Sequence, residues 1–150
     1  MEDARISIRS FDAATDSGKL SGIWLDASLQ SHSFIGRPRL VEQRRLIEEE
    51  YLPKAETWVA CHAGEAIGFI SLLDSFIGGI FVAPARQGMG AGRKLIAHAL
   101  TRKGRLSLEV YTANEQAVRF YASLGFKEVS RRDVDDFGYP FENAVLQLEG

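Results

Sequence analysis

The sequence has little sulfur and little punctuation: one cysteine, Cys61, and four isolated prolines in 150 residues. A single thiol excludes an internal disulfide framework and any multi-cysteine metal site, and it agrees with a reducing compartment. No apolar run approaches the roughly 18 to 20 residues needed to cross a bilayer. The start, MEDARISIRS, lacks the apolar stretch of a secretory signal. A cytoplasmic protein with no membrane partner and no bound metal is expected. No repeat, low-complexity tract or linker interrupts the chain, so residues 1–150 are read as one domain of ordinary size. The net charge is only −2 and the basic residues are dispersed, which disfavours non-specific nucleic-acid binding. Any anion must then be held by a local site.

What is present is an ordered alternation of elements. Arg5 to Arg9 alternate like a half-buried first strand, and Asp16 and Ser17 precede a helical pattern through Leu20, Ile23, Trp24 and Leu25. A charged helix with a thin apolar face (Leu40, Ile47, Tyr51) runs over 38–51 and is expected to stop at Pro53. Two strands over 57–62 and 66–73 flank a short connection, Ala63-Gly64-Glu65, and a third covers 76–82. A helix over 90–102, a strand over 106–111, a helix over 115–124 and two strands follow. The order β-α-α-β-β-β-α-β-α-β-β, with early hairpins and a central strand-helix-strand crossover, implies an α/β fold with a mixed sheet.

The chemistry begins at Gln87-Gly88-Met89-Gly90-Ala91-Gly92-Arg93-Lys94, where a strand ending at Pro84 turns into a helix. Glycine lacks Cβ, so its backbone takes positive φ and its amides approach a ligand closely. At a helix start those amides have no intrahelical partner and lie at the positive end of the dipole, which makes a phosphate cradle. The nucleotide P-loop pattern is not met, because Leu95 stands where a hydroxyl belongs. The dinucleotide pattern is not met either, because Arg93 replaces its third glycine. Downstream, Asn114 is a good N-cap, Ala117, Phe120, Tyr121 and Leu124 share a helical face, and Gly125 suits the C-terminal stop.

These two blocks, in this order, resemble the acetyl-CoA-binding motifs of the GNAT N-acetyltransferase superfamily. The first is its Arg/Gln-x-x-Gly-x-Gly/Ala signature, and the second its Asn-x-x-Ala-x-x-Phe-Tyr-x-x-x-Gly-Phe block. The resemblance implies a mixed, mostly antiparallel sheet flanked by helices, whose parallel strands over 76–82 and 106–111 splay to admit the pantetheine arm of acetyl-CoA, the acyl donor. It further implies that Ile80, Phe81 and Val82 pair with pantetheine as an added strand would, the Val82 amide polarising the thioester carbonyl. Gln87, Gly88, Met89, Gly90, Ala91 and Gly92 are expected to grip the pyrophosphate, with Arg93, Lys94 and Arg119 as possible phosphate contacts. Asn114 and Ala117 are expected along the pantetheine arm. Tyr121 is the expected acid for the departing thiolate, a phenol near pKa 10 being protonated at neutral pH. The implied reaction is direct attack by a primary amine in a ternary complex.

The acceptor side carries less signal. Many relatives have a glutamate on the strand before the glycine turn, whereas Ile77-Gly78-Gly79-Ile80 has no carboxylate. A non-catalytic acyl-CoA-binding module is the rival this raises. Substitute bases are His32, ranked first because imidazole titrates near neutrality, then Glu109 and the pair Asp135-Asp136. Ile23-Trp24, the segment Ser31 to Ile35, and Val134 to Gly138 look most like a bacterial YjaB-type branch of stand-alone acetyltransferases, regarded as acting on protein lysines. The acceptor is left as peptidyl-lysine, an N-terminus or a small amine, and the assembly as monomer or homodimer. Cys61 is expected to be a buried strand residue.

Overall fold

The computed structural model describes residues 5–31 and 35–150. A seven-stranded mixed sheet in the order β1-β2-β3-β4-β5-β7-β6 forms its centre. All neighbours are antiparallel except β4 and β5. The strands are β1 (Ser7–Ser10), β2 (Glu56–His62), β3 (Glu65–Leu73), β4 (Phe76–Val82), β5 (Arg105–Tyr111), β6 (Lys127–Arg132) and β7 (Asn143–Glu149). No helix among the described residues is long and apolar enough to cross a membrane.

Helix α1 (Ala13–Ser31) starts three residues before the expected Asp16. Asp12 supplies the cap, accepting from the Ala14 amide at 3.0 Å, while Asp16 reaches back to the Asp12 amide at 2.8 Å. Asp16 is therefore a buried carboxylate inside the first turn, held also by Arg9 through two bonds of 2.8 and 2.9 Å. Those bonds hold its pKa below the usual range, against the opposing effect of burial. Because the Arg9 side chain is 44% exposed, solvent screens the charge attraction, and the hydrogen bonds from Arg9 and the Asp12 amide carry the effect. Asp16→Ala should lower unfolding free energy by about 1–2 kcal/mol in urea titrations at neutral pH. The sign follows from the depressed pKa: this stability is present above about pH 4 and disappears as pH falls through the folded-state value.

Helix α2 (Arg37–Leu46) enters through Gly36, whose φ is +94°, and carries Pro38 in its first turn. A wider π turn (Ile47–Tyr51) follows, and the path continues through α3 (Leu52–Lys54), past the stop expected at Pro53. The wide turn opens the ladder just where proline has no N–H to give. The β2–β3 connection is tighter than expected, only Ala63 and Gly64 lying between the strands, both at positive φ. Helix α4 spans Ala91–Lys103 and α5 spans Glu115–Ser123, the latter capped by Asn114.

Strand alternation divides the core between the two faces of the sheet. Val59, Cys61 and Phe69 face α1 and α2 with Leu20, Trp24 and Leu40. Ala60, Ile70, Leu72, Leu106, Leu108 and Val110 face α4 and α5 with Leu95, Ile96 and Tyr121. On β5 this alternation leaves Glu109 and Tyr111 on the α1–α2 face.

Candidate active site

Strands β4 and β5 pair only at Phe76 with Ser107 and Ile77 with Leu108. Beyond those two positions they diverge, opening a fork in the middle of the sheet. A groove of about 830 Å³ fills it and extends to the glycine turn. The main-chain groups of β4 on the fork side follow from alternation. The Ala83 amide donates to Ile67 of β3 at 2.8 Å, so the Val82 and Ile80 amides point the other way, into the fork. The Val82 carbonyl shares that edge and accepts from the Gln87 side chain at 3.3 Å.

At the head of the groove Gly88 and Gly90 take φ of +86° and +92°, a region closed to most side chains. Gly90 is the N-cap of α4, and its carbonyl receives the Lys94 amide at 3.0 Å. Gln87, Gly88, Gly90, Ala91, Gly92 and Arg93 all line the groove, with Lys94 beside them. Met89 does not line it: its side chain packs on the core beneath α4, leaving only its backbone in the turn. Arg119 is also absent from the lining and faces Glu115 at 3.9 Å on the exposed side of α5.

Helix α5 forms the opposite wall through Asn114, Ala117, Phe120 and Tyr121. Asn114 accepts the Ala117 amide at 3.2 Å, which fixes the start of the helix beside the fork. Tyr121 is buried, its ring edge-on to Phe126 at 5.5 Å and tilted against Phe120 at 5.4 Å. Burial raises its pKa well above that of a free phenol, so the hydroxyl keeps its proton throughout the neutral range.

Where β4 lacks a carboxylate, aromatic rings pack against its glycines. A Cβ on Gly78 would lie 3.0 Å from the Tyr51 ring, and one on Gly79 would lie 2.7 Å from the Phe81 ring. Aromatic rings thus lie against both glycines and would have to move aside for a β4 side chain. The carboxylate near the fork comes from β5 instead. Glu109 lines both the main groove and an adjoining cavity of about 140 Å³ shared with Tyr51, Tyr111, Asp136 and Phe137. Burial, then the nearby Asp136 charge, raises its pKa, while Arg132 opposes them.

The expected Asp135-Asp136 pair separates into two functions. Asp135 is buried and structural, accepting from the Tyr111 hydroxyl at 2.7 Å and from the Phe137 and Tyr139 amides at 3.0 and 2.9 Å. Asp136 is exposed and bonded to Arg132 at 2.9 Å. His32 lies outside the described residues. Trp24, Ala27, Leu40, Gln43 and Tyr51 form the wall of the groove on the helical side; apart from Trp24, they carried no sequence signal beyond helical periodicity. Among the described residues no group of three His, Cys, Asp or Glu could hold a metal ion.

A two-pair fork opening at a glycine-turned helix, with a buried tyrosine in its wall, defines an acyl-CoA-dependent transferase fold. The Acetyltransferase (GNAT) domain model matches residues 53–128, and the chain belongs to the GNAT acetyltransferase family. Among curated proteins it is 36% identical to the peptidyl-lysine N-acetyltransferase YjaB of Salmonella typhimurium over 82% of this chain and 85% of that protein. It is likewise 36% identical to YjaB of Escherichia coli over 88% of this chain and 90% of the other. The solution structure of apo YjaB from Escherichia coli superposes with a TM-score of 0.86, covering 95% of this chain and 96% of that one. The fold is shared, at 23% identity, with yncA of Salmonella typhimurium, solved with acetyl-CoA, at a TM-score of 0.68 over 96% of this chain and 93% of that one.

Proposed function

We propose that this N-acetyltransferase moves the acetyl group of acetyl-CoA onto the side-chain amine of a protein lysine, by direct attack within a ternary complex. The observation that carries the mechanism is the fork, with the Val82 amide directed into it from one side and the Tyr121 phenol in the wall on the other. The names of the YjaB relatives support the lysine acceptor.

The amides of Gln87 to Gly92, with Arg93 beside them, hold the diphosphate at the positive end of α4. The pantetheine arm lies along the fork edge of Ile80 to Val82, flanked by Asn114 and Ala117. The Val82 N–H donates to the thioester oxygen and stabilises the charge that builds there. Glu109 takes the proton that makes the lysine a nucleophile, needed because only on the order of one lysine in a thousand is neutral at pH 7. The nitrogen bonds to the acetyl carbon and the C–S bond breaks; Tyr121 gives a proton to the leaving sulfur, and the second proton lost from the nitrogen as the amide forms restores the phenol. Burial keeps the phenol protonated at neutral pH, so it has a proton to give and cannot act as the base.

The test combines binding and turnover. Acetyl-CoA at about 100 times its dissociation constant should stabilise the protein by roughly 2.7 kcal/mol in thermal unfolding. Thiol release and a one-acetyl mass gain should appear with a lysine peptide of blocked N-terminus. A free N-terminal amine lacking lysine and a polyamine serve as controls. Stabilisation without acetylation of any acceptor would reduce the chain to an acyl-CoA-binding module; turnover confined to a control would reassign the acceptor.

A further inference from the structure

Glu109 does not stand alone. Arg132, at the end of β6, places one nitrogen, Nη2, 3.1 Å from Glu109 Oε2 and 2.9 Å from Asp136 Oδ1. The same guanidinium also donates to Asn143 Oδ1, at 3.3 Å from Nη2 and 3.4 Å from Nε. Asn143 is buried at the start of β7 and ties down the β6–β7 loop by donating to the Val134 and Phe141 carbonyls at 2.9 and 3.1 Å. The arginine is thereby tied to a buried asparagine while its Nη2 is shared between two carboxylates. Among the described residues, the other titratable groups lining this cavity are Tyr51 from the π turn, Tyr111 from its own strand and Asp135 from the loop. Both tyrosines have pKa values raised by burial and stay neutral.

We infer that Arg132 and Asp136 are positioning residues that hold Glu109 at the fork and set how readily it takes the acceptor's proton. The inference rests on Glu109 acting as the base. Physically, one cation cannot fully compensate two carboxylates. With Arg132 alone, Glu109 would be half of an ordinary ion pair and a weak base. Asp136 draws on the same guanidinium and adds a like charge nearby, which restores basicity to Glu109 without removing its anchor. Asp136 lies on a loop far along the chain from β5, so the loop that borders the acceptor cavity also tunes the base.

The pH dependence of kcat/KM for acetylation of a lysine peptide separates this from a merely structural tie. In Asp136→Asn the acid limb should move down by about half a unit to one unit, and in Arg132→Gln it should move up by a similar amount. A one-unit shift is up to tenfold in kcat/KM below the limb, with the plateau above it little changed. Asp136→Glu should restore the wild-type limb. Asp136 is exposed, so its variants test the inference even if Arg132→Gln folds poorly, and Arg132→Lys provides a second arm by keeping charge without the shared geometry. Glu109→Gln distinguishes the two levels. Loss of the limb in Glu109→Gln, with the limb unmoved in folded Asp136→Asn, leaves the base in place and overturns the positioning role. Retention of the limb in Glu109→Gln removes Glu109 as the base, and the positioning role with it.

Discussion

Tyr121→Phe should lower kcat for acetyl transfer by about 100-fold or more while leaving the KM for acetyl-CoA nearly unchanged. The substitution deletes one hydroxyl and keeps the ring that packs between Phe120 and Phe126, so the core on that face of the sheet is preserved. A hundredfold loss corresponds to about 2.7 kcal/mol of transition-state stabilisation. That is a reasonable share for a proton delivered to a departing thiolate, whose need for it grows only as the C–S bond breaks. Steady-state kinetics with thermal melts alongside provide the measurement. Wild-type turnover in a folded Tyr121→Phe protein would remove the phenol from the mechanism.

Gly68→Ala should damage both the fold and the donor site. A Cβ at this position would lie 2.8 Å from the Phe81 carbonyl oxygen and 3.3 Å from the Val82 Cα, both main-chain atoms with no rotamer to escape through. Relief requires β4 to shift away from β3 at Phe81 and at Val82, whose amide faces the fork. Overpacking of this kind costs about 1–3 kcal/mol, and chemical denaturation should record it. Displacement of the Val82 amide should in addition weaken acetyl-CoA binding by about tenfold or more, equivalent to about 1.4 kcal/mol. Calorimetry finding unchanged affinity would show that the edge of β4 does not hold the donor. Gly79 differs in kind, since a side chain there meets only the Phe81 ring, which can rotate.

Much of this architecture is legible in residue order. The element sequence, the mixed sheet and the glycine turn follow from periodicity and from the stretch Gly88 to Gly92, because those features are written in neighbouring residues. Helix starts are less legible. Asp16 resembles a cap by type, yet Asp12 performs the capping and Asp16 braces it from one turn later. The acceptor side is the least legible, because its parts come from distant segments. Gly78 gives no hint that the Tyr51 ring lies against it. Asp135 and Asp136 look alike in sequence, but one is buried under the loop it organises and the other reaches Arg132. Met89 sits in the middle of the glycine motif and still turns its side chain to the core, since the motif constrains the backbone and leaves the side chain free to pack.

The scarcity of pairing between β4 and β5 has one more consequence. In the proposed arrangement the donor's amide-bearing arm stitches the two halves of the sheet together, and that stitching is the same before and after the acetyl group departs. Affinity gained there is uniform along the reaction and cannot by itself accelerate it. Free coenzyme A is then held almost as firmly as its thioester, so the spent carrier competes with fresh donor for the same groove.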